Sequence, residues 1–98
     1  MDVIENWRKK IDEIDLKLVD LLNRREKCAI AIGKIKAALN IEVYDSKREK
    51  EVLENVQHAV DKPLTKEAVK YVFERIIKES RRAEGEFNSL KKDLIDEK

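Results

Sequence analysis

Residues that break helices or build reactive sites are scarce in this sequence. Its 98 residues include two glycines, one proline, one cysteine and one histidine. Gly33 and Gly85 stand alone, which excludes a glycine-rich phosphate loop, although Gly33 is placed to allow close helix packing. Cys28 cannot form an intramolecular disulfide and is more typical of a core filler than of a nucleophile. With His58 as the single histidine, no His/Cys set exists for a metal site, and we expect neither a metal nor a cofactor.

Long apolar runs are also missing. No stretch approaches the roughly 20 apolar residues that span a membrane, and the N-terminal MDVIENWRKK lacks the apolar segment of a signal peptide. Together with the single cysteine, this favours a cytoplasmic protein that does not bind membranes. Charged residues make up 44% of the chain, but they balance to a net charge of +1. We therefore do not expect nucleic-acid binding.

What the chain does contain, chiefly Leu, Ile, Lys and Glu, is typical of long helices. The spacing of the apolar residues predicts three helices, at about 3–39, 46–60 and 65–92, in a single domain spanning residues 1–98. The first helix carries a heptad stripe in which apolar residues recur every three or four positions. Its members are Ile4, Trp7, Ile11, Ile14, Leu18, Leu21, Cys28, Ile32, Ile35 and Leu39.

Local signals mark the ends of these helices. Asn40 is suited to end the first, because asparagine tolerates the left-handed conformation. Asp45 or Ser46 is suited to cap the second, with Glu49 placed to complete a capping box from Ser46. Pro63 then separates the second helix from the third, because proline removes a backbone donor and disfavours helix before it.

The three helices differ in length, and this predicts an assembly. A helix of about 36 residues cannot be covered along its whole apolar stripe by partners of about 14 and 28 residues. We therefore expect an all-α fold of one long, one short and one medium-long helix, forming an intertwined helical homodimer about a two-fold axis. An ordinary monomeric bundle is the alternative.

Several polar residues fall on the apolar sides of these helices. They are Arg8, Arg25 and Lys36 on the first helix, Asp45, Arg48 and Glu49 at the start of the second, and Ser80 and Glu84 on the third. Interior charges are costly unless they are paired or solvated. One interpretation is a set of buried ion pairs, Arg25 with Glu49 and Lys36 with Glu84. The other is a site for a small polyanion with carboxylates and hydroxyls, since cations are in excess and arginine binds carboxylates through two hydrogen bonds.

Four segments carry a resemblance to a known family. WRKKIDEID, LLNRREKCAIAIGKIK, VYDSKREKEVL and VFERIIKES resemble segments of the all-helical chorismate mutases, and the likeness covers about residues 4–90. The resemblance implies an intramolecular Claisen rearrangement of chorismate to prephenate, on the route to phenylalanine and tyrosine, without covalent catalysis. It also implies an interlocked homodimer with two equivalent sites. Such domains occur free-standing and fused to other enzymes of the pathway.

The resemblance further implies roles for the cations. Arg25 would bind one substrate carboxylate, and Arg8 from the partner subunit the other. Lys36 would contact a carboxylate and the ether oxygen, where negative charge grows as the C–O bond breaks. Ser80 would contact a carboxylate. The motif and the heptad stripe both favour Arg25 over Arg24, which precedes the stripe position.

The acidic residues have implied roles as well. Glu49, with the backbone at Asp45, would bind the ring hydroxyl, and Arg48 would help to hold the substrate. Glu84, with Lys36 and Arg25, would complete the catalytic set, but it stands where the best-known bacterial members carry glutamine. A carboxylate cannot donate a hydrogen bond, so Glu84 would have to be protonated to reach the ether oxygen as a donor.

Two other functions remain as alternatives. Isochorismate pyruvate lyases have a similar helical fold, but they tend to lack the DxxRE pattern that Asp45, Arg48 and Glu49 form here on the second helix. A non-catalytic helical dimerisation or regulatory module is the other, with its polar residues setting the helix register. Such a module would not need this combination of cations, carboxylates and a hydroxyl.

Overall fold

The computed structural model describes the backbone of residues 2–96 and the side chains of residues 2–86. The described chain consists of three α-helices: α1 (Val3–Leu39), α2 (Ser46–Ala59) and α3 (Lys66–Asp96). No β-strand occurs among residues 2–96. The expectation of an all-α fold with one long, one short and one medium-long helix is confirmed.

α1 is a continuous helix of 37 residues, about 56 Å long at about 1.5 Å per residue. It ends where the sequence predicts. Asn40 adopts the left-handed conformation (φ 55°), and the N–H of Ile41 donates to the carbonyl of Lys36 at 2.8 Å. This bond satisfies a carbonyl that the end of a helix otherwise leaves without a partner.

Asp45, rather than Ser46, caps α2. Its carboxylate accepts a hydrogen bond from the backbone N–H of Arg48 at 3.0 Å. The capping box from Ser46 to Glu49 is wrong, because the Glu49 carboxylate is directed to an arginine of α3. The cap fixes where the chain turns from the linker, residues 40–45, into α2.

Three predicted boundaries shift. α2 ends one residue before position 60, because Val60 is already extended (φ −67°, ψ 140°) ahead of the Asp61–Pro63 break. Thr65 lies just outside α3, and its hydroxyl accepts from the N–H of Ala68 at 3.1 Å. At its other end α3 continues to Asp96 rather than 92, because no glycine or proline follows Gly85.

α3 packs against both other helices, whereas α1 and α2 make no helix–helix contact within the described residues. The buried residues of the resulting core are few and small, including Ala29, Gly33, Val69 and Ile77. Cys28 is exposed, so its expected role as a core filler is not seen in the single chain. The reason is that α3 covers the side of α1 that carries Ala29 and Gly33.

Most of the heptad stripe of α1 is therefore left uncovered. Trp7 is 59% exposed. The other members toward the N-terminal end are each more than half exposed: Ile4, Ile11, Ile14, Leu18 and Leu21. A row of this length exceeds the apolar patch that a soluble monomer usually leaves open.

α1 and α3 approach each other closely at Gly33. A Cβ built on Gly33 would lie 2.9 Å from the Cα of Glu84 and 3.3 Å from its carbonyl oxygen. Because these are backbone atoms, they cannot move aside without shifting the helix. The absence of a side chain at Gly33 thus sets the distance between the two helices, as the sequence predicts.

Gly33→Ala is expected to lower the free energy of unfolding by about 1–3 kcal/mol, since the added methyl overpacks the interface. Gly85→Ala is the matched control, because no atom lies within 4 Å of a Cβ at that position. That variant should gain about 0.4–1 kcal/mol from the lower entropy of its unfolded chain. Urea unfolding at equal protein concentration compares the two, and equal stabilities would contradict the close-packing account.

Candidate active site

A cavity of about 350 Å³ opens between α1, the linker, α2 and α3. Its apolar wall is formed by residues of all three helices and the linker: Cys28, Ala29, Ile32, Val43, Val52 and Ile77. Its polar wall combines four cations, three carboxylates and a hydroxyl: Arg25, Lys36, Arg48, Arg81, Asp45, Glu49, Glu84 and Ser80. The structure therefore brings together seven of the eight residues singled out from the sequence, and Arg8 is the exception.

Lys36 and Glu84 form the most buried ion pair of the cavity. The Nζ of Lys36 donates to Oε2 of Glu84 at 3.1 Å and to the carbonyl oxygen of Val43 at 2.9 Å. Their side chains are only 17% and 11% exposed. This is one of the two ion pairs predicted from the sequence. It ties α1 to both α3 and the linker, and its contacts use two of the three ammonium protons.

Arg25 lies across the cavity from α2 and bonds to α3. Its Nη1 donates to Oγ of Ser80, and Oγ of Ser80 donates in turn to Oε1 of Glu26 at 3.0 Å. The predicted pair between Arg25 and Glu49 is wrong, because α2 packs on α3 and not on α1. Arg24 points elsewhere, with its Nη1 3.6 Å from Asp20 and its side chain 68% exposed.

The start of α2 supplies the outer wall of the cavity. Asp45 is exposed and uses its carboxylate as the helix cap. Arg48 is also exposed, and its Nη1 lies 3.4 Å from Oε1 of Glu51. Glu49 is more enclosed, with a side chain that is 23% exposed. All three line the cavity, so this turn places two carboxylates and a cation at its rim.

Comparison with known proteins identifies the family. A family model described as chorismate mutase type II matches residues 7–85. This chain belongs to the type II chorismate mutase family.

Curated relatives match parts of the chain. It is 39% identical over 56 residues to a bifunctional chorismate mutase/prephenate dehydratase of Aquifex aeolicus, which is 57% of this chain and 16% of that protein. It is 39% identical over 59 residues to a chorismate mutase of Methanocaldococcus jannaschii, covering 55% of this chain and 60% of that one. The match thus spans less than two thirds of either curated relative.

Solved chorismate mutases share the fold over nearly their whole length. A chorismate mutase of Thermus thermophilus superposes with a TM-score of 0.83 at 28% identity, covering 86% of this chain and 96% of that one. A Helicobacter pylori chorismate mutase, solved in complex with prephenate, gives 0.79 at 34% identity, covering 91% and 94%. The arrangement of three helices around the cavity is therefore that of the chorismate mutase family.

Arg8 is the residue singled out from the sequence that the single chain does not bring to the cavity. It is exposed, and its Nη1 bonds to Oε1 of Glu5 at 2.6 Å. It precedes Arg25 by 17 positions on the same straight helix, which places it about 25 Å away. No bending of its own side chain can bridge that distance.

Two cavity-region residues were missed by reasoning from the sequence, Glu26 and Arg81. Glu26 lies outside the heptad stripe and carried no signal. Arg81 did carry a sequence signal. It shares one helix face, with the i, i+3, i+4, i+7 spacing, with Ile77, Ser80 and Glu84. Its Nε and Nη2 donate to the two carboxylate oxygens of Glu49, each at 3.0 Å.

Clusters of metal-binding side chains and membrane-spanning helices are both absent from the part of the chain that the structure describes. No group of three or more His, Cys, Asp or Glu side chains there is arranged to hold a metal ion. Among the described helices, none is both long and apolar enough to cross a membrane.

Proposed function

We propose that this chain is a chorismate mutase, which converts chorismate to prephenate. The observation that carries the proposal is the enclosed Lys36–Glu84 pair in a cavity that also holds Arg25, in a chain of this family. The rearrangement is unimolecular: one C–O bond breaks and one C–C bond forms within the same molecule. It requires no nucleophile and no cofactor, so the protein needs only to orient the substrate and to stabilise developing charge.

The inner wall of the cavity supplies the groups for the reacting atoms. Arg25 binds a substrate carboxylate, and Ser80, which accepts from Arg25, donates to the same group by turning its hydroxyl away from Glu26. Lys36 donates its remaining proton toward the ether oxygen, where negative charge accumulates in the transition state. Glu84 approaches the same oxygen from α3, as a donor in its protonated form.

The outer wall recognises the rest of the substrate. Glu49 accepts a hydrogen bond from the ring hydroxyl, and the oxygen of that hydroxyl also contacts the backbone at Asp45. Arg48 extends over the cavity rim and contributes positive charge toward the substrate. The wall holds four cations and three carboxylates, so cations are in excess for a substrate with two carboxylates.

A second copy of the chain supplies a further cation. Arg8 from that copy binds the substrate carboxylate that Arg25 does not bind. The exposed apolar row on α1, which includes Trp7 at 59% and Ile11 at 55% exposure, gives the second copy a surface to bury. We therefore propose a homodimer with two equivalent sites, each completed by Arg8 of the other subunit. The single cysteine suits a cytoplasmic location.

Loss of chorismate, followed spectrophotometrically with identification of the product, tests the proposal. Formation of prephenate is the expected result. Release of pyruvate from isochorismate would instead indicate a lyase, and absence of turnover with either substrate would indicate a non-catalytic module. Size-exclusion chromatography with light scattering, run on the same preparation, reports the oligomeric state.

The activity is expected to fall as pH rises, because Glu84 donates to the ether oxygen only when protonated. The Nζ of Lys36 lies 3.1 Å from Oε2 of Glu84, so both groups can reach the same oxygen of a ligand. Glu84→Gln supplies an amide donor at every pH and should flatten the profile. Glu86→Gln is the control, since Glu86 is 65% exposed and lies one turn from Arg82 rather than in the cavity.

The measurement is kcat/KM from mildly acidic to alkaline pH for the three proteins. The unmodified chain and Glu86→Gln should share one falling profile, whereas Glu84→Gln should not follow it. A flat profile for the unmodified chain would contradict the proposed role of Glu84.

A further inference from the structure

Arg81 connects three elements at the rim of the cavity. Its Nε and Nη2 bond to Oε2 and Oε1 of Glu49 on α2, both at 3.0 Å. Its guanidinium carbon lies 4.9 Å from the centre of the Tyr44 ring in the linker. Arg81 itself extends from α3, next to the buried Ser80. One side chain therefore holds a carboxylate of the cavity wall and stacks on the segment that leads into α2.

The geometry of this contact is more specific than that of an ordinary ion pair. Two parallel hydrogen bonds fix the plane of the Glu49 carboxylate, which a single bond to a lysine would not do. Stacking on Tyr44 in turn restricts the guanidinium. The Glu49 side chain is 23% exposed and that of Arg81 is 41% exposed, so the pair lies at the solvent edge of the cavity.

The two hydrogen bonds from Arg81, which we call the fork, leave Glu49 able to bind a ligand. A carboxylate has about four lone-pair sites, and the two bonds from Arg81 occupy one on each oxygen. The remaining sites can accept from a hydroxyl in the cavity. Without these two hydrogen bonds, the flexible Glu49 side chain can adopt other rotamers and leave this orientation.

We propose that Arg81 is a positioning residue, which holds Glu49 in the orientation that accepts the ring hydroxyl of the substrate. This inference rests on the proposed function. Arg81 acts on substrate recognition and not on the reacting atoms, because the described contacts of Arg81 do not include Lys36 or Glu84. Its loss therefore weakens binding of ground state and transition state alike, which raises KM and leaves kcat nearly unchanged.

Steady-state kinetics of Arg81→Gln on chorismate test this. KM should rise by roughly tenfold, which corresponds to weakening one hydrogen bond to a charged group, while kcat stays within about twofold. Arg81→Lys should recover KM only in part, because lysine restores the charge without the fork. Arg82→Gln is the matched control, since Arg82 is 68% exposed and pairs with Glu79 and Glu86 away from the cavity.

A double variant separates positioning from a general structural role. If Arg81 acts through Glu49, Arg81→Gln should add almost nothing to the KM of a Glu49→Gln protein. The inference would be overturned if the KM increases of the two single variants multiply in the double variant. It would also be overturned if KM is unchanged in Arg81→Gln. Thermal unfolding is measured for every variant, and Arg81→Lys provides the same comparison if Arg81→Gln does not fold.

The outcomes also distinguish failure of the Arg81 role from failure of the proposed chorismate mutase activity. If the unmodified chain does not turn over chorismate, the proposed function fails and the role of Arg81 fails with it. If the unmodified chain and Arg82→Gln are active and Arg81→Gln matches them in KM, only the role of Arg81 is overturned.

Discussion

Lys36→Ala is expected to lower kcat by about 10²–10³, the loss typical of removing one preorganised donor to a developing oxyanion. Lys36 is the enclosed cation of the cavity, with 17% of its side chain exposed. It is held in place by Glu84 at 3.1 Å and by the carbonyl of Val43 at 2.9 Å. A cation fixed in this way needs little reorganisation when charge develops on the ether oxygen. Single-turnover or steady-state measurement of prephenate formation gives the change in rate.

The same substitution leaves the Glu84 carboxylate without its cation, and this must be separated from the catalytic effect. Lys36→Ala combined with Glu84→Gln removes the unpaired charge. If the loss of rate came only from that charge, the double variant would recover activity. We expect it to recover stability but not kcat. Lys27→Ala, an exposed lysine on the same helix, is the control and should retain full turnover. Near-normal kcat in Lys36→Ala would mean that the proposed site is wrong.

The sequence was sufficient to predict features that depend on one helix at a time. Periodicity gave the length of α1, and the left-handed Asn40 ends it as expected. The heptad stripe placed Arg25 on the side of α1 that faces the cavity, while Arg24 pairs with Asp20 at the surface. Gly33 was identified as a point of close approach, and it faces the backbone of Glu84. In each case the position on the helix determines the direction of the side chain.

Features that depend on which helices touch could not be predicted in this way. Glu49 was paired with Arg25, but α2 packs on α3, so its carboxylate meets Arg81 instead. The sequence signal for Arg81 existed, because it lies on the helix face of Ser80 and Glu84, but an arginine beside a buried serine is equally typical of a surface position. The capping residue of α2 was similarly undecided between Asp45 and Ser46, and only the local backbone selects Asp45.

The packing of α3 on α1 explains why Arg8 lies away from the cavity. The core between α1 and α3 is built around Ala29 and Gly33, and these small residues let α3 approach only one part of α1. The apolar row on the N-terminal part of α1, with Ile4 at 63% and Trp7 at 59% exposure, is largely uncovered within the described residues of the chain. Arg8 lies on this uncovered part. The exposed apolar row and the position of Arg8 therefore both support the proposed homodimer. A mixing experiment tests whether Arg8 acts across its interface.

Mixing Arg8→Ala with Lys36→Ala should restore activity that neither variant has alone. In the proposed dimer, each site uses Lys36 of one chain and Arg8 of the other. A mixed dimer then has one site that lacks both residues and one site that is intact. Random pairing of equal amounts makes half of the dimers mixed, so about a quarter of all sites should be intact in a two-fold assembly. Both parents are expected to be impaired by about 30-fold or more, the effect of truncating one partner of a desolvated charge pair.

The two variants are unfolded together in denaturant, refolded, and assayed at the total protein concentration used for each parent. Lys36→Ala mixed with Arg25→Ala is the matched control, because both residues belong to the same chain's share of a site. In that mixture every site carries one defect, so no recovery is expected. Recovery to about a quarter of unmodified activity in the first mixture alone would support a site shared between chains. Equal, low activity in both mixtures would contradict the proposed contribution of Arg8 across the interface.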